Sequence, residues 1–134
     1  TAIDLNTGDH VWMAPHGDGP RNHPALRDLD FPALGGHGGM HGGGPLVTKT
    51  LLVVNSGGRN VADQLAAARA ITAYNKDTGE YLGSVELLAV PYGNPITYWH
   101  EGVQFIAVAI GSSGSGDAAE LIALALPWLR DSNW

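Results

Sequence analysis

The chain has 134 residues, of which 44% are hydrophobic, and this composition favours a packed core over intrinsic disorder. Its 13 acidic residues outnumber its 7 basic ones, and the net charge of -6 with no basic cluster excludes nucleic acid as an expected partner. The sequence contains no cysteine, which excludes disulfides, thiol catalysis and zinc–thiolate sites, and no apolar run approaches the roughly 20 residues of a membrane-spanning helix.

The first predicted element is a β-hairpin in the stretch AIDLNTGDHVW, residues 2–12. Ile3 and Leu5 alternate with Asp4, as expected for a half-buried strand, and Val11 begins the return strand. The turn between them ends at Gly8, which suits a type I turn followed by a left-handed glycine. Asp4 is placed to accept hydrogen bonds from the turn amides, so we interpret it as a structural rather than a catalytic carboxylate.

The rest of the chain reads as short strands, since 19 glycines and 8 prolines argue against a helical bundle. A long Gly/Pro/His-rich loop is predicted at 14–44, where its length favours a functional role. The segment 62–70 has helix-forming composition but no apolar stripe, so it is interpreted as an insertion between strands. Strands are predicted at 46–48, 51–55, 95–99, 104–110 and 121–126, with a second hairpin over 71–87 whose turn is at 77–79.

The spacing of these elements reveals a repeat of about 50 residues. The stretch Gly44-Pro45-Leu46 returns 50 residues later as Asn94-Pro95-Ile96, and Ala73 returns at the same interval as Ala123. Between the two hairpins the interval is 71 residues, an excess that the loop at 14–44 absorbs. A repeat of this length with four strands is typical of one blade of a β-propeller.

The predicted organisation is a partial set of such blades, and its segments follow one another along the chain. They are 1–13, the last two strands of one blade; 14–44, the long loop; 45–89, one complete blade with an insertion near 58–70; 90–127, a partial following blade; and 128–134, a tail. Incomplete blades would leave sheet edges and apolar faces open, so we expect the chain to be part of a longer polypeptide.

The residues of the first hairpin also carry a resemblance to a known family. Ala2, Asp4, the pair Thr7-Gly8 and Trp12 resemble the docking motif that ties neighbouring blades together in quinoprotein dehydrogenases. Later segments resemble the carboxy-terminal blades of the same enzymes, and residues 17–24, GDGPRNHP, are similar to a loop of the membrane-type glucose dehydrogenase subgroup.

This resemblance implies an all-β, eight-bladed propeller that holds pyrroloquinoline quinone (PQQ) on its axis beside a divalent cation, usually calcium. It further implies oxidation of an alcohol or sugar, with electrons passed to ubiquinone or a cytochrome. The implied location is the periplasm, where the enzyme could be associated with the membrane. The catalytic aspartate and the metal ligands of the family lie in earlier blades, so the resemblance assigns no catalytic and no metal-binding residue here. The remaining blades of the same protein would supply them.

Three residues are candidates for binding the cofactor. Arg69 matches the position of a family asparagine near the quinone, and a guanidinium there could pair with a quinone carboxylate or carbonyl. Asn94 and Thr97 begin a first strand near the axis and could touch the cofactor, although turn and strand-end roles explain them equally well.

Two further features of the sequence have more than one interpretation: a glycine in the second hairpin and a pair of histidines in the long loop. The second hairpin has Gly83 where the docking tryptophan would fall, so one contact between blades is weakened or replaced. His37 and His41 stand four apart, which suits a metal site on a helix, but the glycines around them favour a mobile loop over the propeller mouth. A non-catalytic propeller that serves as an interaction module is the alternative to an enzyme.

Overall fold

The computed structural model describes residues 1–16, 23–26, 28–30, 44–56, 69–111 and 118–125. These residues form nine antiparallel β-strands and, within these ranges, no helix, so the all-β prediction is confirmed. No described helix is therefore long and apolar enough to cross a membrane. The segment 62–70 begins outside the described residues and its last residue, Ala70, starts a strand, which leaves its interpretation as an insertion a prediction.

The strands form three sheets, which follow the chain order. Sheet I pairs β1 with β2, sheet II has the order β3-β4-β5-β6, and sheet III has the order β7-β8-β9. Their bounds are Ala2–Ile3 for β1, His10–Trp12 for β2, Leu46–Val47 for β3, Leu51–Ser56 for β4, Ala70–Asn75 for β5, Tyr81–Glu86 for β6, Pro91–His100 for β7, Val103–Ile110 for β8 and Glu120–Leu124 for β9. Sheet II is a four-stranded antiparallel blade of the predicted kind, while the exact limits of the blades stay a prediction.

The hydrophobic core lies between sheets II and III, because one face of each consists of branched aliphatic side chains. On β4, Val53 is 2% exposed, and on β8 Val108 and Ile110 are each 1% exposed. Period-two alternation puts such residues on one face of a strand, and each buried aliphatic side chain contributes about 2 kcal/mol of hydrophobic stabilisation. Further buried members are Ile71, Leu87 and Ala89.

The two ends of the sheets differ, and this difference positions the candidate site. At one end, the short-turn end, neighbouring strands are joined by tight turns at 4–9, 48–50, 76–80 and 101–102. At the other end, named the long-loop end, consecutive described strands are separated by longer intervals of sequence, among them 13–45, 57–69 and 111–119. Binding residues concentrate on long connections held by a rigid scaffold, which makes the long-loop end the place to look for a ligand.

Candidate functional site at the long-loop end

The turn of the sheet I hairpin is built as its sequence predicts, but the expected half-buried face is not: Ile3 and Leu5 are 51% and 95% exposed, and Leu5 lies in the turn rather than in β1. The Asp4 carboxylate accepts a hydrogen bond of 2.7 Å from the Asn6 amide, and Gly8 has a φ of +79°. The Thr7 hydroxyl accepts a second turn bond from the Asp9 amide at 3.2 Å. Asp4 therefore supports the turn, and its structural interpretation is confirmed.

Trp12 joins sheet I to the turn of the second hairpin in sheet II. Its indole N–H donates to the Lys76 carbonyl at 2.9 Å. Its ring lies against Gly79, where an added Cβ would stand only 2.4 Å from Trp12 Cε3. The docking role that the resemblance implies for Trp12 is confirmed, and a glycine is needed at 79 both for this close approach and for its φ of +74°.

The long-loop end presents a bulge on β7, the first strand of sheet III. The register of β7 and β8 shifts between Tyr92 and Ile96, which are opposite Ala109 and Ala107, so residues 93–95 face a single residue. Gly93 takes a φ of +72° there. Bulges of this kind re-aim side chains and are common beside active sites.

The bulge presents Asn94, one of the three predicted cofactor residues. Asn94 is exposed, and its Oδ1 accepts a hydrogen bond from the Gly44 amide just before β3. The other half of its carboxamide, the Nδ2 donor, has no partner within the described ranges. The Asn55 side chain, from β4, donates to the Gly93 carbonyl at 2.7 Å. Asn94 is thus held from sheet II while one of its donors stays available.

Arg69 lies at the same end, directly before β5, and β5 is separated from β3 by β4. Its Nη1 donates to the Leu88 carbonyl at 3.2 Å, beyond the end of β6. The structure thus brings Arg69 and Asn94 to one end of the sheets but places them on different sheets. The role of Arg69 as a cofactor residue stays a prediction.

Thr97 lies further along β7, in its regular part. Its hydroxyl donates to the Phe105 carbonyl at 2.9 Å and accepts from the Gln104 side chain at 2.9 Å. Both bonds hold β7 to β8, so the hydroxyl is occupied by the sheet itself. Thr97 stays a prediction as a cofactor residue, and the geometry favours Asn94 over it.

His16, four residues after β2, forms a polar contact with Tyr74 of β5 that the sequence did not predict. His16 Nε2 lies 3.2 Å from the Asn55 carbonyl, and Nδ1 lies 2.9 Å from the Tyr74 hydroxyl. A carbonyl can only accept, so in the neutral tautomer that fits both bonds His16 Nε2 carries the hydrogen and Nδ1 accepts a hydrogen bond from the Tyr74 hydroxyl. No spacing links residues 16 and 74, so only folding could bring them together.

The same two side chains line an open, mainly apolar pocket of about 200 Å³. Burial raises the pKa of the Tyr74 phenol, and the nearby Tyr81 phenol adds to the rise. The pocket is lined by Thr1, Trp12, Ala14, His16, Leu52, Val54 and Tyr74.

Several predicted features fall outside the described residues, among them His37, His41 and the tail at 128–134. Among the residues that the structure describes, no group of three or more His, Asp or Glu side chains could hold a metal ion. Gly83 stands opposite Ala73, as Trp12 stands opposite Ala2, and no atom lies within 4 Å of where its Cβ would be.

A four-stranded antiparallel sheet beside further sheets that repeat its hairpin pattern is typical of β-propeller proteins. Comparison with protein-family models matches residues 1–106 to a family described as PQQ, glucose/ethanol/alcohol dehydrogenase, beta-propeller domain. The match covers most of the 134 residues, and the chain belongs to this family of PQQ-dependent dehydrogenases. A comparison with curated proteins found no match.

Proposed function

We propose that this chain serves a PQQ-dependent dehydrogenase that oxidises an alcohol or a sugar, with a glucose-dehydrogenase-like substrate preference. The family match over residues 1–106 carries the proposal. The similarity of residues 17–24 to a loop of membrane-type glucose dehydrogenases supports the preference for a sugar. Electrons would pass to ubiquinone or a cytochrome, and the enzyme would act in the periplasm in association with the membrane.

The residues at the long-loop end fit part of a PQQ site. PQQ carries carboxylates and quinone carbonyls, which accept hydrogen bonds, and the protein supplies donors and orientation to such a cofactor. Asn94 has an exposed Nδ2 donor on the first strand of sheet III, with its Oδ1 fixed by the Gly44 amide. Arg69 adds a guanidinium at the same end. When bound, the quinone takes up the electrons that the substrate loses.

Calcium fits the described residues less well. The described ranges hold no group of acidic or histidine side chains that could ligate it. We therefore propose that its ligands, like the carboxylate base, come from the remaining blades of the same protein. The role of the described sheets is then to orient PQQ and to form part of the wall around it.

The proposal is tested on the polypeptide with its complete propeller, supplied with PQQ and calcium. We expect saturable binding of PQQ, followed by its absorbance, and reduction of an artificial electron acceptor with at least one member of a panel of aldoses and primary alcohols. Binding without dye reduction on any of these substrates would contradict the proposed activity.

The second candidate is a non-catalytic propeller that acts as an interaction module. It is favoured because the resemblance assigns no catalytic residue to this chain and the described residues hold no group of side chains that could bind the metal. Absence of any bound quinone after reconstitution would support this alternative, and bound quinone would dispose of it.

A further inference from the structure

Asn55 holds the bulge of β7 from the neighbouring sheet. It is the fifth residue of β4, and its side chain crosses the boundary between sheets II and III to reach the Gly93 carbonyl at 2.7 Å. This carbonyl belongs to the residue directly before Asn94. The Gly44 amide, two residues before β3, donates to the Asn94 side chain itself, so the bulge is fixed at two adjacent residues by β4 and by the segment that leads into β3.

The side-chain oxygen of Asn55 shows that a polar side chain at this position destabilises the fold. Its Oδ1 is fully shielded from solvent and has no hydrogen-bond partner within the described part of the chain. Leaving a buried acceptor unsatisfied destabilises a fold, and an apolar side chain of similar size would avoid this. Packing alone therefore does not explain a carboxamide at 55, whereas the bond from its Nδ2 to Gly93 does.

We propose that Asn55 is a positioning residue of the PQQ site, acting through the bulge rather than by touching the cofactor. Its Nδ2 fixes the Gly93 peptide, and this fixes the direction in which Asn94 presents its own Nδ2. The inference rests on the proposed function, because it assumes that Asn94 binds PQQ. Groups that bind a ligand need their geometry held by a supporting layer of hydrogen bonds, and Asn55 provides that layer here.

The test compares substitutions in the complete propeller protein by fluorescence titration with PQQ. Asn55→Leu keeps the approximate volume and adds no charge, but it removes the donor to Gly93. We expect roughly tenfold weaker PQQ binding, in line with the loss of a hydrogen bond and of preorganisation, with a melting temperature that does not fall. If the melting temperature falls and PQQ affinity is unchanged, Asn55 is only structural and the proposal is overturned.

Asn55→Asp provides a second variant in case the leucine fails to fold, since a carboxylate cannot donate to the Gly93 carbonyl. Its charge-matched control is Asn75→Asp. The Asn75 Oδ1 only accepts, from the amides of Asp77 at 2.9 Å and Thr78 at 3.2 Å. Asp4 does the same in the first hairpin, so the control should bind PQQ like the unmodified protein.

Asn94→Asp distinguishes a failure of the proposed PQQ site from a failure of the inference about Asn55. It keeps an oxygen for the Gly44 amide and removes the Nδ2 donor. If PQQ affinity drops in this variant but not in the Asn55 variants, the inference about Asn55 fails and the proposed site stands. If Asn94→Asp leaves the affinity unchanged, the proposed site is wrong, and the role of Asn55 falls with it.

Discussion

At the scale of single residues, most polar side chains near the turns serve the backbone. Asp4 and Asn75 occupy equivalent places in the two hairpins, and each accepts amide hydrogen bonds from its own turn. Thr7 and Thr78 repeat the pattern two residues before Asp9 and Glu80. A short side chain with an oxygen can cap a turn from this position, which explains why aspartate and asparagine are interchangeable there.

The contact between Trp12 and Gly79 gives a prediction with a matched control. Gly79→Ala and Gly8→Ala both put a Cβ on a left-handed residue, with φ of +74° and +79°, and each should lose about 1 kcal/mol of unfolding free energy for that reason. At Gly79 the new Cβ would also displace the Trp12 ring, which adds about 1 to 3 kcal/mol, whereas no atom lies within 4 Å at Gly8.

Urea unfolding of the two alanine variants measures this difference. Equal losses for both would show that the Trp12 contact contributes nothing. Replacing Trp12 by alanine should make Gly79→Ala no worse than Gly8→Ala, because the atom that clashes has then been removed.

At the scale of elements, the two hairpins share their register as well as their turns. In sheet I, Ala2 is opposite Trp12 and Ile3 opposite His10, and in sheet II, Ala73 is opposite Gly83 and Tyr74 opposite Tyr81. Both pairs carry a bulge at the same place. The register was therefore set by the turn sequence, since a fixed turn fixes the pairing of the strands that leave it.

The contact of Tyr74 on β5 with His16 should make the free energy of unfolding depend on pH in the alkaline range. Burial raises the pKa of the Tyr74 phenol above its ordinary value of about 10. The fold thus favours the protonated phenol, and its contribution is complete below about pH 10 and is lost as the pH rises through the raised pKa of the folded state.

Tyr74→Phe isolates this contribution. The variant should be less stable at neutral pH, by about 1 kcal/mol, because the hydrogen bond to His16 Nδ1 is lost. Above about pH 10 the gap in unfolding free energy between the unmodified protein and the variant should narrow, as followed by denaturant unfolding at several pH values. A gap that stays constant from pH 8 to pH 11 would contradict the burial of a protonated phenol.

At the scale of the whole molecule, the described sheets have outer faces with exposed apolar side chains. Sheets II and III share the core, but the outer face of sheet III exposes Ile96, Tyr98 and Leu121, at 56%, 41% and 74%. The outer face of sheet I similarly exposes Ile3, Val11 and Met13. In a propeller such faces are covered by the next blade, in agreement with the proposal that further blades complete the protein.

These faces predict the behaviour of the 134-residue chain on its own. We expect it to bind a hydrophobic dye and to self-associate in light scattering, since contiguous apolar surface of this kind drives association. The double substitution Ile96→Lys and Leu121→Lys should reduce both signals several-fold. Leu88→Lys is the control, because Leu88 is 81% exposed but lies on the connection after β6 rather than on a sheet face. An equal reduction by the control would refute the role of the sheet face.

The sequence by itself determined the local structure of this protein and its repeat. The turn residues, the alternation of the strands and the 50-residue interval were enough to predict the hairpins and sheet II, because each depends on neighbouring residues or on a repeated pattern. The docking of Trp12 was implied by the resemblance of its hairpin to the motif of quinoprotein dehydrogenases. Only the tertiary structure decided which side chains at the long-loop end are available. It showed that the Thr97 hydroxyl is bonded within its sheet and that Asn55 reaches Gly93, 38 residues away, across a boundary between sheets. Such contacts depend on which sheet faces meet, and no local pattern encodes that.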